Sequence, residues 1–200
     1  MTYYTWPDNV FPAAAQWLAQ PNSQTFTSPL DKTTQTISMP GFRWKCNLQF
    51  KNMTRAEFGA LSGLMIRLRG MYGRLWVPHP SNATPRGSGA GNPVVSGANQ
   101  TGASLATSGW AASQAVLLAG DFFNVNGELK AVVQDVQSDG GGNATIVFEP
   151  PLRAPPPNGS ALALNYPSCL MRLAADDAFQ SQANPGNVFD ASVSLIEEFA

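Results

Sequence analysis

The chain has 200 residues, 44% of them hydrophobic but only 12% charged, and a formal net charge of −1. The length suffices to bury a core, while the charged fraction is about half of the ~25% usual in soluble domains. That balance excludes the electrostatic footprint of a nucleic-acid binder and leaves little on the surface to oppose association. No window is apolar and long enough to span a bilayer, and 'MTYYTWPDNVFPAAAQWLAQ' lacks the basic-then-apolar pattern of a signal peptide. A soluble product made in a cytoplasm is expected. Asn82 and Asn143 head N-x-S/T sequons, which without secretion read as chance matches.

In chain order, residues 1–40 mix aromatics with prolines, threonines and glutamines and show no helical period. They predict extended chain with irregular turns, pinned by Trp6, Phe11, Trp17 and Phe26 rather than by a ladder. 'RWKCNLQF' then alternates, with Trp44, Cys46, Leu48 and Phe50 on one face, which predicts a half-buried strand. Thr54 and Glu57 fit a capping box, followed by Phe58, Leu61, Leu64, Met65 and Leu68 at helical spacing. This predicts one helix over 55–69, with Arg67 and Arg69 suiting its dipole and Gly70 as a left-handed stop. 'YGRLWVPHP' reads as a strand closed by Pro78 and Pro80.

From Ser81 to Gly102 the composition shifts to Gly, Ser, Asn, Pro and Thr, as in a linker entering a second unit. 'PVVSG' and 'ASLATSGW' read as its first short strands. In 'FFNVNGELKAVVQDV', two apolar runs flank Asn126-Gly127, which predicts a hairpin with a type I′ turn. Asp139 and three glycines predict another turn before a strand carrying Ala144, Ile146 and Phe148. 'EPPLRAPPPNGS' reads as a proline-stiffened edge, and 'ALALNY' aligns Leu162, Leu164 and Tyr166. Closely spaced antiparallel strands suit a small barrel or compact sandwich. The closing strand, with Ala191, Val193 and Leu195 on one face, matches 'RWKCNLQF' in style. The expected organisation is therefore a mainly β protein in which 1–80 and 168–200 form one split, β-sandwich-like module with the helix, and 81–167 is inserted.

Chemistry-bearing patterns are few. His79 is the only histidine, so a histidine zinc site is excluded and a triad could form only there; a surface loop residue is the expectation. 'PRGSGAGNP' lacks the Gly-Lys-Ser/Thr ending and following helix of a phosphate loop. Asp139, Glu149 and Asp176-Asp177 have no calcium-loop spacing, and Asp176-Asp177 belongs to a hairpin connection. Glu197-Glu198 reads as a solvated or interface-rim pair. Cys46 and Cys169 lie far apart and predict buried thiols, with pairing left open. No catalytic residue, cofactor site or metal site is expected. Among the tryptophans, Trp44 and Trp76 predict core, whereas Trp6, Trp17 and Trp110 could be core or a sugar-stacking platform. Arg153 could anchor a neighbouring subunit or be a plain surface charge.

Three stretches carry a resemblance. 'WPDNVFP' with 'SPLDKTTQTISMPGFRWKCNLQF', 'MTRAEFGALSGLMIRLRGMYGRLWVP', and 'VSGANQTGASLATSGW' with 'VLLAGDFFNVNGELKAVVQDVQSDGGGNATIVFEPPLR' resemble minor tail proteins of long-tailed bacteriophages, of the distal tail kind. The resemblance implies a non-enzymatic virion component, assembled in the host cytoplasm and placed at the tail tip. It implies a closed ring of this chain, expected as a hexamer, joining the tail tube protein to the tail-tip hub proteins. A belt-like β domain would close the ring and a smaller domain would project. Trp6, Phe11, Trp17, Arg74 and Arg153 are the candidate interface residues. The second reading is a carbohydrate- or host-receptor-binding module, with a host surface glycan as ligand.

Overall fold

The computed structural model describes residues 2–80 and 83–199; Ser81 and Asn82, where the inserted module and the Asn82 sequon were expected to begin, lie outside them. The fold is mainly β and sandwich-like, with a single α-helix among the described residues. The chain divides into two compact units, Met1–Leu75 with Met171–Ala200, and Trp76–Leu170.

The first unit is built on a sheet containing β1 (Tyr3–Thr5), β2 (Ala14–Thr27), β3 (Thr34–Met53), β4 (Arg74–Pro78), β12 (Ser168–Leu173), β13 (Phe179–Asn184) and β14 (Val188–Glu197), in the order β1-β4-β12-β14-β3-β2 with β13 also on β14. The final strand returns to the first unit as its pattern suggested: Leu195 faces Cys46, Val193 faces Leu48 and Ala191 faces Phe50. These pairs are buried, so two period-two runs far apart in sequence share one inner face. On its other side β14 is divided lengthwise, pairing β12 through Leu195–Glu197 and β13 through Val188–Val193.

Helix α1 (Arg55–Leu68) covers that inner face. Its capping box forms as predicted, with Glu57 N–H donating to Thr54 Oγ1 and the Thr54 amide donating to the Glu57 carboxylate. Leu61, Leu64, Met65 and Leu68 are buried, each contributing roughly 1.5–3 kcal/mol by leaving water. Phe58 stacks on Phe189 of β14 at 4.5 Å. The helix stops one residue earlier than expected. Arg69 takes a left-handed cap at φ 53°, its N–H donating to the Ile66 carbonyl, and Gly70 follows it in the expected left-handed conformation at φ 66°.

Residues 1–40 depart from the expectation of ladder-free chain. Strands β2 and β3 pair continuously from Ala14–Gln49 to Thr27–Thr34, broken only between Gln20 and Asn22. Pro21, which has no N–H to donate, sits at that break.

The second unit holds a sheet of β5 (Gly91–Val95), β6 (Gly102–Trp110), β11 (Ala144–Leu152), β9 (Glu128–Val132) and β8 (Phe122–Val125), with a small ribbon of β7 (Ala115–Leu117) and β10 (Val136–Gln137). Asn126 at φ 50° and Gly127 at φ 81° make the predicted tight turn of the β8–β9 hairpin. Residues 160–163 bridge both edge strands, Ala161 meeting Val94 of β5 and Ala163 meeting Asn124 of β8. The curved sheet is thereby drawn toward a barrel around Leu105, Phe123, Val125, Ile146 and Phe148. Two details differ from expectation. The Pro150-Pro151 stretch is the end of the central strand β11, not an edge, and its register to β6 shifts between Val147 and Leu152 where the prolines remove donors. Tyr166 is exposed, with φ 47°, and does not continue the Leu162–Leu164 face.

Candidate functional site

The feature that the fold does not consume is the outer part of the β2–β3 hairpin. Every residue from 18 to 41 is exposed except Ser28, which is half-buried at the turn. The bulge at Gln20–Asn22 marks where this arm leaves the sheet; there Asn22 Nδ2 donates to the Pro40 carbonyl at 2.7 Å, and Gly41 adopts φ 116°. Gly41 is glycine because that dihedral suits no other residue without strain. The tip is closed by its own groups. Ser28 N–H donates to Thr33 O, and the Asp31 carboxylate accepts from Thr33 N–H and Oγ1–H. Bonds from Ser28 and Thr33 hold the Asp31 carboxyl down to about 2.

Register separates the arm into two chemically distinct faces. Ser23, Thr25 and Thr27 lie opposite Ser38, Thr36 and Thr34, giving a face made only of hydroxyls, with Thr25 and Thr36 Oγ1 atoms 3.4 Å apart. Asn22, Gln24 and Phe26 lie opposite Met39, Ile37 and Gln35, giving an apolar stripe edged with amides. Phe26, Ile37 and Met39 are 50%, 46% and 45% exposed, and Leu30 at the tip is 94% exposed. Apart from Asp31 and Lys32 in the turn, the hairpin carries no charge from Ala14 to Phe42. A two-stranded ribbon is marginal alone in water, and exposed edges are ordinarily guarded by charge or proline. Here β2 is the terminal strand of its sheet, so its outer backbone edge is open along the arm. Strand β13, uncharged in 'FQSQAN', likewise pairs only β14 among the described residues.

The five candidate interface residues fall in different settings. Phe11 is 80% exposed. Trp6 is half-buried, stacked on Phe50 with its indole N–H donating to Val10 O at 2.7 Å. Trp17 is half-buried on β2 opposite Cys46. The Arg153 side chain is exposed, just beyond β11. Arg74, by contrast, is buried: its Nη1 donates to the carbonyls of Met71, Tyr72 and Gly73, and its Nη2 pairs with Glu198 at 3.1 Å. It ties β4 to the C-terminal strand.

The remaining candidates for chemistry resolve into internal structure. His79 is buried, not in a surface loop; it stacks on Phe122 at 4.0 Å, and burial holds its imidazole down to about 4. Glu197 and Glu198 are not a solvated pair. Glu197 is buried and accepts the Trp44 amide, while Glu198 binds Arg74 and Arg172. The glycine-rich loop does cradle an anion, but it is the chain's own: the buried Asp121 carboxylate accepts the amides of Arg86, Gly87 and Leu118 and the Arg86 Nε–H. Burial raises the Asp121 carboxyl, and these donors together outweigh it, leaving it below the usual carboxylate range. Asp139 organises its glycine turn by accepting from Gly141, Asn143 and the Asn143 side chain. Asp176 accepts the Met71 amide. Both cysteines are free and buried, and desolvation pushes the Cys46 thiol up to about 12. Among the described residues no cluster of His, Cys, Asp and Glu could hold a metal ion, and no helix is long and apolar enough to cross a membrane.

The tryptophans do not form an exposed platform. Trp44 and Trp110 are buried, the latter donating to Thr107 Oγ1, and Trp6, Trp17 and Trp76 are half-buried. Sequence reasoning missed the arm because it looked for alternation between apolar and polar residues, and β2, wet on both faces, has none. The repeated Ser/Thr at every second position of 'SQTFT' and 'TQTIS' was the available signal. In comparison with known proteins, no family model and no curated protein matches this chain.

Proposed function

We propose that this protein is a non-enzymatic, self-assembling component of a bacteriophage tail tip, forming a closed ring that joins the tail tube to the hub proteins. The observation that carries the reading is the uncharged, two-faced arm on an open-edged sheet. Such an arm is a liability in a monomer and an asset once a second copy covers it, since a closed ring removes open edges. The apolar stripe of Phe26, Ile37 and Met39 supplies the packing face, and the β2 backbone edge supplies directional hydrogen bonds. The second unit, with its edges bridged internally, is suited to project rather than to close the ring. A hexamer is the expected order, and the resemblance to distal tail proteins supports the location. The test is electron microscopy of phage particles carrying a tag on this chain. Density from the tag at the tip of the tail supports the reading; tagged chain absent from particles overturns it.

A further inference from the structure

A cleft in the first unit, of about 310 Å3, is lined by Thr2, Tyr4, Arg67, Arg69, Tyr72 and Gly73. We propose that this cleft binds a small oxyanion, a carboxylate or phosphate group, through the guanidinium groups of Arg67 and Arg69.

Three features carry this. First, the two arginines line one cleft, and among the described residues neither forms an ion pair. The lining includes no carboxylate; the nearby Asp176 is engaged with the Met71 amide. Second, the Arg67 side chain and the Arg69 backbone are held in place. The Arg67 guanidinium lies 4.9 Å from the centroid of the Tyr4 ring, and the Tyr4 hydroxyl donates to the Arg67 carbonyl. Arg69 is fixed in the left-handed helix cap, a position that glycine or asparagine fills at lower cost. A non-glycine residue kept in a costly conformation at a cleft wall points to use of its side chain.

Third, the usual objection to an anion beside a helix C-terminus is removed by neighbouring donors. Unsatisfied carbonyls there carry negative partial charge and repel anions. Here the Ile66 carbonyl accepts from Arg69 N–H, Arg67 from Tyr4 and Leu68 from Gly73 N–H. The carbonyls of Met71, Tyr72 and Gly73 all accept from Arg74 Nη1. The Nε–H of Arg74, next in sequence to the cleft, is itself buried without an acceptor. The charged groups lining the cleft are thus the two guanidinium groups, with the Tyr72 and Thr2 hydroxyls beside them as neutral donors. Planar guanidinium forks match carboxylate and phosphate oxygens in pairs.

The test titrates the full chain with sodium glucuronate, inorganic phosphate and, as a neutral control, glucose, following the guanidinium Nε–H signals of Arg67 and Arg69 by NMR. Saturable shifts with an anion are expected, and the tighter of the two anions identifies the source of the oxyanion. Arg69→Gly should weaken binding at least tenfold while leaving the thermal midpoint unchanged or higher, because glycine takes the left-handed cap freely. Arg67→Gln provides the second loss of binding with the backbone untouched. Arg55→Ala, at the other end of α1, should bind as the parent does. Absence of saturation with both anions overturns the proposal, as does equal binding of glucose. Equal weakening by Arg55→Ala and Arg69→Gly also overturns it, since that reports diffuse charge rather than a site.

Discussion

Replacing Phe26, Ile37 and Met39 together by serine removes the apolar stripe of the arm while leaving its backbone ladder intact. The three side chains are 50%, 46% and 45% exposed, so about half of each remains to be buried on a partner. Full burial of such a side chain is worth roughly 1.5–3 kcal/mol, so the remaining half is worth about 0.8–1.5 kcal/mol each and about 2.4–4.5 kcal/mol per contact for the three. At 1.4 kcal/mol per tenfold, the association constant should fall by about 50- to 1,600-fold. Folding should hardly change, because exposed substitutions away from the core stay within about ±0.5 kcal/mol. The assay is sedimentation velocity over a concentration series, beside a thermal melt. The triple variant should remain monomeric at concentrations where the parent assembles, with nearly the same melting midpoint. Assembly at the parent's concentration would refute the role of the stripe, and a collapsed midpoint would show that the arm packs on its own unit.

Gly59 and Gly63 lie mid-helix on the outer side of α1 with open space where a Cβ would stand, so Gly59→Ala and Gly63→Ala should each stabilise by about 0.5–1 kcal/mol in a denaturant melt. Loss of stability in either would mean that this face is packed. The single histidine, His79, should titrate near pH 4 by NMR rather than near 6.5. Its folded pKa is lowered, so its contribution to stability is present above about pH 6.5 and is lost as pH falls toward 4; a titration midpoint above 6 contradicts its burial. Lys130 is wholly buried, with Nζ 2.6 Å from Glu128 and 2.9 Å from the Pro151 carbonyl. Glu128→Ala should therefore cost about 3–5 kcal/mol by stranding the ammonium, and adding Lys130→Met should restore most of it. A mild effect of Glu128→Ala alone would show that water reaches the pair.

What was legible in the sequence is what a buried face writes there. 'RWKCNLQF' and 'ASVSLIE' alternate because one side of each strand is dry, and the capping box and Asn126-Gly127 succeed because they are local backbone chemistry. The arm was illegible for the opposite reason: with water on both faces, β2 has no hydrophobic parity to show. Glu197 could have been found, since it continues the inward series of Ala191, Val193 and Leu195, yet its charge argued for the surface. His79 was misread because flanking prolines signal a loop, while its burial depends on Phe122, distant in sequence. Arg74 and Asp121 are likewise defined by partners far along the chain. The cleft of Arg67 and Arg69 was read only as dipole compensation, because Tyr4 joins it through tertiary contact.

Cryo-electron microscopy of the purified chain tests the assembly most directly. The account predicts closed rings in which the arm of each copy lies against its neighbour, with Phe26, Ile37 and Met39 covered. Single particles that stay monomeric at high concentration, arms bare in solvent, would contradict it.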